Sequence, residues 1–231
     1  MSNHQYSTAT SPSSKPLQLY TAGTPNGRKT HIFLEELKAQ YGLTYDVHPI
    51  SLGKNEQKEP WYLKLNPNGR IPTLVDPNRG GFAVFESAAI LLYLEQHYDT
   101  TTKFAFDPAT RADDWSEMLQ WIFFAHGGLG PMQGQAGHFL NAAPEDIPYA
   151  KKRYVDETRR LFGVLQLRLA GRDWLAGPAR GTYSLADMNA FPWVNGHAFT
   201  GVETLDEFPD VKAWTERMKE RPAVKSGLQI P

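Results

Sequence analysis

The stretch "NPNGRIPTLVDPNRGGFAVFESAAILLYLEQHY", Asn66 to Tyr98, decides the fold. Residues 70–76 and 81–87 are short β-rich runs on either side of a "DPNRGG" turn, which reads as a hairpin. Residues 87–98 follow as a strongly apolar helix, buried on most sides. Upstream, residues 17–23, "LQLYTAG", alternate apolar and polar and end in glycine, a strand signal. The run "RKTHIFLEELKAQYG" then places Ile32, Phe33, Leu37 and Tyr41 on one helical face, with Gly42 as its stop. Residues 43–52 read as a second strand, and residues 61–69 as a short helical turn or loop. Strand, helix, strand, then hairpin and helix, is a small α/β sandwich.

Beyond about residue 100 strand signals vanish. "DTTTKFAFDPATR" is a linker with turn residues, and helical spacing recurs over 113–126, 147–171, 184–198 and 210–222. An all-helical second half is expected. The 231 residues are 41% hydrophobic and 21% charged, enough for a real core. A net charge of −1 gives no electrostatic footprint for nucleic acid or an anionic membrane. No apolar run reaches the ~20 residues of a spanning helix. Residues 1–16 are Ser/Thr/Pro-rich without the apolar centre of a signal peptide; a disordered tail and a cytoplasmic location are expected.

The chain has no cysteine. Disulfides, thiolate-ligated metals and redox chemistry on a protein thiol are excluded, so any sulfur chemistry belongs to a ligand. The seven histidines lack paired spacing such as H-E-x-x-H, and none is expected to bind metal.

Three features carry candidate chemistry. "GTPNGRKT" (23–30) sits where a strand turns into a helix. It is one residue from a phosphate-binding loop, but Arg28 stands where the second glycine belongs. The unpaired N–H groups of a helix start still favour an anion, and a bound anion would offset the cost of Arg28 and Lys29 there; both could equally point into water. Next, Ile71-Pro72 enters a strand. A cis bond would turn the Ile71 N–H and C=O outward to pair with an extended peptide, whereas an ordinary trans proline would not. Finally, Glu86 and Ser87 open the apolar helix. Ser87 is either a plain N-cap or, with free helix N–H groups, a carboxylate site, and Glu86 suits an ammonium. Together the three describe a short peptide with a zwitterionic end, an extended middle and an anion at a helix N-terminus.

The T-P-N-G turn, "NPNGRIPTLVD", "ESAAILLYLEQHY" and the helical half resemble a cytosolic glutathione transferase over residues 17–225. The T-P-N-G turn and "GGLGPMQGQAGHF" (127–139) are similar to the fungal group related to the nitrogen-catabolite regulator and to the bacterial nu class. The resemblance implies a thioredoxin-like domain over 17–100, a linker over 101–111 and an all-helical domain over 112–231. It implies glutathione, reduced or oxidised, as co-substrate, with no metal. The activity implied is thiol activation for conjugation to a small electrophile, for reduction of a small disulfide, or both; the alternative is a non-catalytic glutathione-binding regulatory protein. A homodimer is implied, with neither nucleic acid nor membrane as partner.

Residue by residue, Asn26 would face the sulfur and donate to it, with Thr24 as a second donor and Tyr20 as a rival. Ile71 would pair with the cysteinyl part, Glu86 and Ser87 would hold the γ-glutamyl end, and Gln57 and Arg70 would touch the peptide. Phe123, Met132 and Gln133 would wall the electrophile pocket, with His126 and Phe139 beside them. Pro72 and the capping box of Ser184 and Asp187 would be structural.

Overall fold

The computed structural model describes residues 15–229. The tail expected over residues 1–16 therefore lies, up to residue 14, outside the described residues. The first half runs β1 (Leu17–Thr21), α1 (Pro25–Tyr41), β2 (Tyr45–Pro49), α2 (Pro60–Leu65), β3 (Thr73–Asp76), β4 (Phe82–Phe85) and α3 (Ser87–Tyr98). The sheet order is β2-β1-β3-β4. β1 and β2 are parallel, with Leu19 opposite Val47. A parallel pair needs a crossover, and α1 provides it. β3 lies antiparallel to β1 and to β4, so Leu74 stands between Leu19 and Val84.

Alternation along β1 buries Leu17, Leu19 and Thr21 on one face. There the two leucines join Ile32, Phe33 and Leu37 of α1 and Ile90, Leu91 and Leu94 of α3 in one core. Gly42 closes α1, its N–H bonded to the Lys38 carbonyl at 2.9 Å. This is a thioredoxin-like half, as the resemblance implies.

The second half is helical: α4 (Ala112–Phe124), a π-helical turn over Ala125–Leu129, α5 (Gly130–Asn141), α6 (Pro148–Leu169), α7 (Leu185–Asn195), α8 (Pro209–Glu220) and α9 (Pro222–Gly227). α7 is buried almost all round and packs against α1, joining the halves into one core. The capping box of Ser184 and Asp187 opens it. Asp187 also accepts from Leu175 N–H at 3.0 Å and Trp214 Nε1–H at 2.9 Å, so its carboxylate ties three segments together.

Two elements depart from the sequence reading. The segment read as a linker is packed: Phe104, Ala105 and Phe106 are buried, and Asp99 accepts from the N–H groups of Lys103 and Phe104. Helix α5 forms where glycines over 127–137 gave no helical signal. Each interior glycine costs about 1 kcal/mol relative to alanine, and tertiary packing overrides that cost. A Cβ on Gly130 would sit 2.9 Å from Nε1 of Trp193, so only glycine lets that indole lie against α5. Among the described residues, no helix is long and apolar enough to cross a membrane.

Candidate active site

The turn between β1 and α1 builds one wall. Thr24 is the N-cap, its Oγ1 accepting from Gly27 N–H at 3.2 Å. Pro25 has no N–H, and Arg28 N–H bonds the Thr24 carbonyl at 3.0 Å. With Gly27 N–H held by the Thr24 side chain, the Asn26 N–H is the first-turn amide with no hydrogen-bond partner among the described residues. Gly27 has a packing reason: a Cβ there would lie 2.2 Å from the Ala22 carbonyl oxygen and 2.5 Å from Thr21 Oγ1. The likeness to a phosphate loop ends there. Trp193 of α7 donates its Nε1–H to Asn26 Oδ1 at 3.0 Å. An indole N–H can only donate, so the amide oxygen must face it. The Nδ2 donors of Asn26 have no protein partner among the described residues.

The loop before β3 builds the second wall. Asn66 is buried; its Nδ2 donates to the Arg70 carbonyl at 2.8 Å and Thr73 Oγ1 at 3.1 Å, and its Oδ1 accepts from Asn68 N–H at 3.0 Å. Tyr62 Oη adds a bond to the Arg70 carbonyl at 2.7 Å. So fixed, the loop runs into a cis Ile71-Pro72 bond. Neither the N–H nor the C=O of Ile71 makes a hydrogen bond among the described residues.

The third wall is the entry to α3. Glu86 has φ 67°, in the left-handed region that a non-glycine residue rarely occupies, as is common for residues held at functional sites. Ser87 is 3% exposed, and its Oγ is buried without a partner among the described residues. Such orphans are rare and call for an explanation. Glu86 Oε2 lies 3.1 Å from Nε2 of His126, across the boundary between halves.

These walls enclose a cavity of about 490 Å³. Asn26, Lys29, Arg70 and Glu86 line it from the sheet half. His126, Gly130, Pro131, Gly134, Gln135, His138 and Trp193 line it from the helices. Lys29 is 1% exposed and makes no ion pair or hydrogen bond among the described residues through its amine. Burial pushes its pKa down to about 7, with Glu86 pulling the other way. His126 also falls below its ordinary value, through burial first and then the charge of Lys29, opposed by Glu86.

The expected electrophile walls do not line this cavity. Gln133 is 0% exposed, and its amide donates to the Trp193 carbonyl at 3.0 Å and Thr200 Oγ1 at 3.1 Å; it braces the core. Phe123 is 60% exposed and does not line the cavity, and Met132 packs against the core. Phe139 stacks on Tyr154. The phase of α5 explains this: 130, 131, 134, 135 and 138 face the cavity, so small and polar residues form its wall. Without a recognised helix the bulky residues looked the better candidates. Thr24 and Gln57 do not line the cavity either; Gln57 lies on the 3-10 turn Glu56–Lys58, its Oε1 buried and unpartnered. Tyr20 stacks on His48 at 4.6 Å and takes a packing place on the other face of the sheet. Lys29 and Trp193 went unassigned. In sequence Lys29 is only a cation at a helix start, and nothing there links Trp193 to Asn26, 167 positions away.

Comparison with known proteins agrees with this architecture. The family model for the glutathione S-transferase N-terminal domain matches residues 24–97, and that for the C-terminal domain matches residues 131–222. The disulfide-bond oxidoreductase YfcG of Escherichia coli K12 is 44% identical, over 92% of this chain and 94% of its own. A glutathione transferase homolog from Lodderomyces elongisporus, solved with two glutathione molecules per subunit, superposes with a TM-score of 0.85 at 39% identity, covering 94% of this chain and 99% of that one. A glutathione transferase from Phanerochaete chrysosporium, URE2P6, solved with oxidised glutathione, gives 0.84 at 39% identity, covering 93% and 95%. With its two halves matched in order by the two family domains, the chain belongs to the glutathione S-transferase family.

Proposed function

We propose that this protein is a glutathione transferase that activates the glutathione thiol, and that it serves disulfide reduction as well as conjugation. The observation that carries the reading is Asn26, an amide at a helix N-terminus whose oxygen is occupied by Trp193 and whose N–H donors remain free. Glutathione supplies the nucleophile as its thiolate. Asn26 Nδ2 donates to the sulfur and stabilises the charge, helped by its own N–H at the first turn. Asn26 cannot remove the proton, because a carboxamide is not a base.

The residues present fit a zwitterionic peptide. The orphaned Ser87 hydroxyl and the free N–H groups of α3 receive the γ-glutamyl carboxylate, and Glu86 receives its ammonium. The unpaired amide and carbonyl of Ile71 extend the sheet by one strand of ligand. Arg70 lines the same cavity and serves as a cation for a peptide carboxylate; Gln57 and Thr24 take outer places. Pro72 holds the loop.

Disulfide reduction is favoured by the opposite wall. Gln135 and His138 bring polar groups to that wall, beside Gly130, Pro131, Gly134 and Trp193. A polar disulfide suits that wall better than a flat apolar electrophile. Similarity to the YfcG oxidoreductase supports this. Phe82, 57% exposed on the edge strand β4 beside Tyr93, supports a homodimer through that edge. A cysteine-free, glutathione-using chain suits the cytoplasm. Parallel assays with hydroxyethyl disulfide and an aryl halide test the reading: turnover of the disulfide is expected to exceed conjugation, and absence of both sinks it.

A further inference from the structure

Activation of the thiol requires a place for its proton, and Asn26 is not one. Lys29 follows Asn26 by three positions on α1, which puts both on one helical face, and both line the same cavity. Its stem is packed inside the protein and its amine has no ion-pair or hydrogen-bond partner among the described residues. An amine that lines a cavity and has no protein partner among the described residues is placed to meet a ligand.

We propose that Lys29 is the general base of this enzyme, accepting the thiol proton at Nζ. The inference rests on the glutathione reading above. The Lys29 amine forms a new N–H bond as the S–H bond breaks, with the electron pair staying on sulfur. A neutral site becomes an ammonium–thiolate pair, and Asn26 holds the sulfur beside it. In disulfide exchange the leaving thiolate takes the proton back from Nζ, so each turnover closes without an added acid.

The electrostatics agree. Burial lowers Lys29 to about 7, where part of the population is neutral and able to accept a proton. A free thiol sits near 8.5 and is lowered at a helix N-terminus beside donors, so the two groups are closely matched. The other ionisable groups facing the cavity are Glu86 at the start of α3, His126 in the π-helical turn, Arg70 before β3 and His138 on α5. Glu86 raises Lys29, and a ligand ammonium docked on Glu86 would offset that pull, leaving more of the amine neutral near pH 7.

Lys29→Met keeps the stem and removes the amine. At pH 6.5 its kcat/KM is expected to fall about a hundredfold. Its bound-thiol titration, followed by thiolate absorbance, is expected to move up by about one unit or more. S-methylglutathione, which has no thiol proton, should bind wild type and variant alike. If the variant loses S-methylglutathione affinity in proportion to rate, Lys29 is a binding cation and the proposal is overturned. Failure of the wild type to bind S-methylglutathione would instead sink the glutathione reading. A measurement on the wild type stands even if the variant does not fold: carbon-13 NMR of the lysine ε-carbons. Lys29 should titrate at about 7 or lower with S-methylglutathione bound and at clearly higher pH with glutathione bound, because the thiolate then holds its proton. Identical titrations in the two complexes overturn the proposal.

Discussion

Oε2 of Glu86, at the entry to α3, lies 3.1 Å from Nε2 of His126 in the π-helical turn, and this contact joins the two halves across the cavity. The carboxylate has two calls on it: it opposes the desolvation of His126 and Lys29, and in the proposed complex it receives an ammonium. Glu86→Gln keeps the shape and removes the charge. Glutathione affinity at pH 7 should fall roughly tenfold, a modest loss because the side chain is 48% exposed and screened by water. Titration calorimetry checks it, and unchanged affinity removes Glu86 from head-group binding.

Ser87 separates binding from stability. Its hydroxyl is buried without a protein partner, so deleting it leaves no protein donor or acceptor stranded. Ser87→Ala should leave Tm unchanged or slightly higher, while glutathione binding weakens about five- to tenfold. A parallel loss of both would mean that the hydroxyl has a structural partner after all.

Trp193 orients the amide that faces the sulfur. Trp193→Phe keeps a ring in the space Gly130 leaves and removes the N–H that fixes Asn26 Oδ1. The freed amide can rotate its oxygen toward the thiolate, where it repels. The bound-thiol titration should shift upward and turnover should drop about fivefold, near 1 kcal/mol. Asn26→Ala should do the same or more, and adding Trp193→Phe to it should cost nothing further. Additive losses in that cycle would show that Trp193 acts by another route.

Local physics made much of the site legible. The T-P-N-G turn, the Ile71-Pro72 entry and the Glu86-Ser87 step are each written in a few consecutive residues, and each stands at a wall of the cavity or beside it. The helix stop at Gly42 and the capping box at Ser184 and Asp187 follow the same logic. What stayed hidden depends on distant partners. Helix α5 has poor propensity, and its glycines make sense only once Trp193 lies against Gly130. The phase of that helix then turns Gln133 inward and Gln135 outward, which spacing could not reveal without a recognised helix. Lys29 looked like a surface cation because nothing local announces that the helix start is roofed by the second half.

Lys29 also sets a stability test. The native state disfavours its ammonium form, so the folded pKa, about 7, lies below the unfolded value near 10.4. Between those values the unfolded chain binds the extra proton, and stability rises with pH across that window. Below about pH 7 both states are protonated and the penalty is carried in full. Lys29→Met should therefore be more stable than wild type at pH 6.5, by on the order of 2 kcal/mol once the remaining attraction to Glu86 is allowed for. The gap should close steadily between pH 7.5 and 10, in urea unfolding at matched ionic strength. A variant less stable than wild type throughout that range would mean that the Lys29 amine is held by a favourable native partner. The same substitution is expected to slow turnover, so a more stable but slower enzyme would mark Lys29 as a residue kept for its chemistry at the expense of the fold.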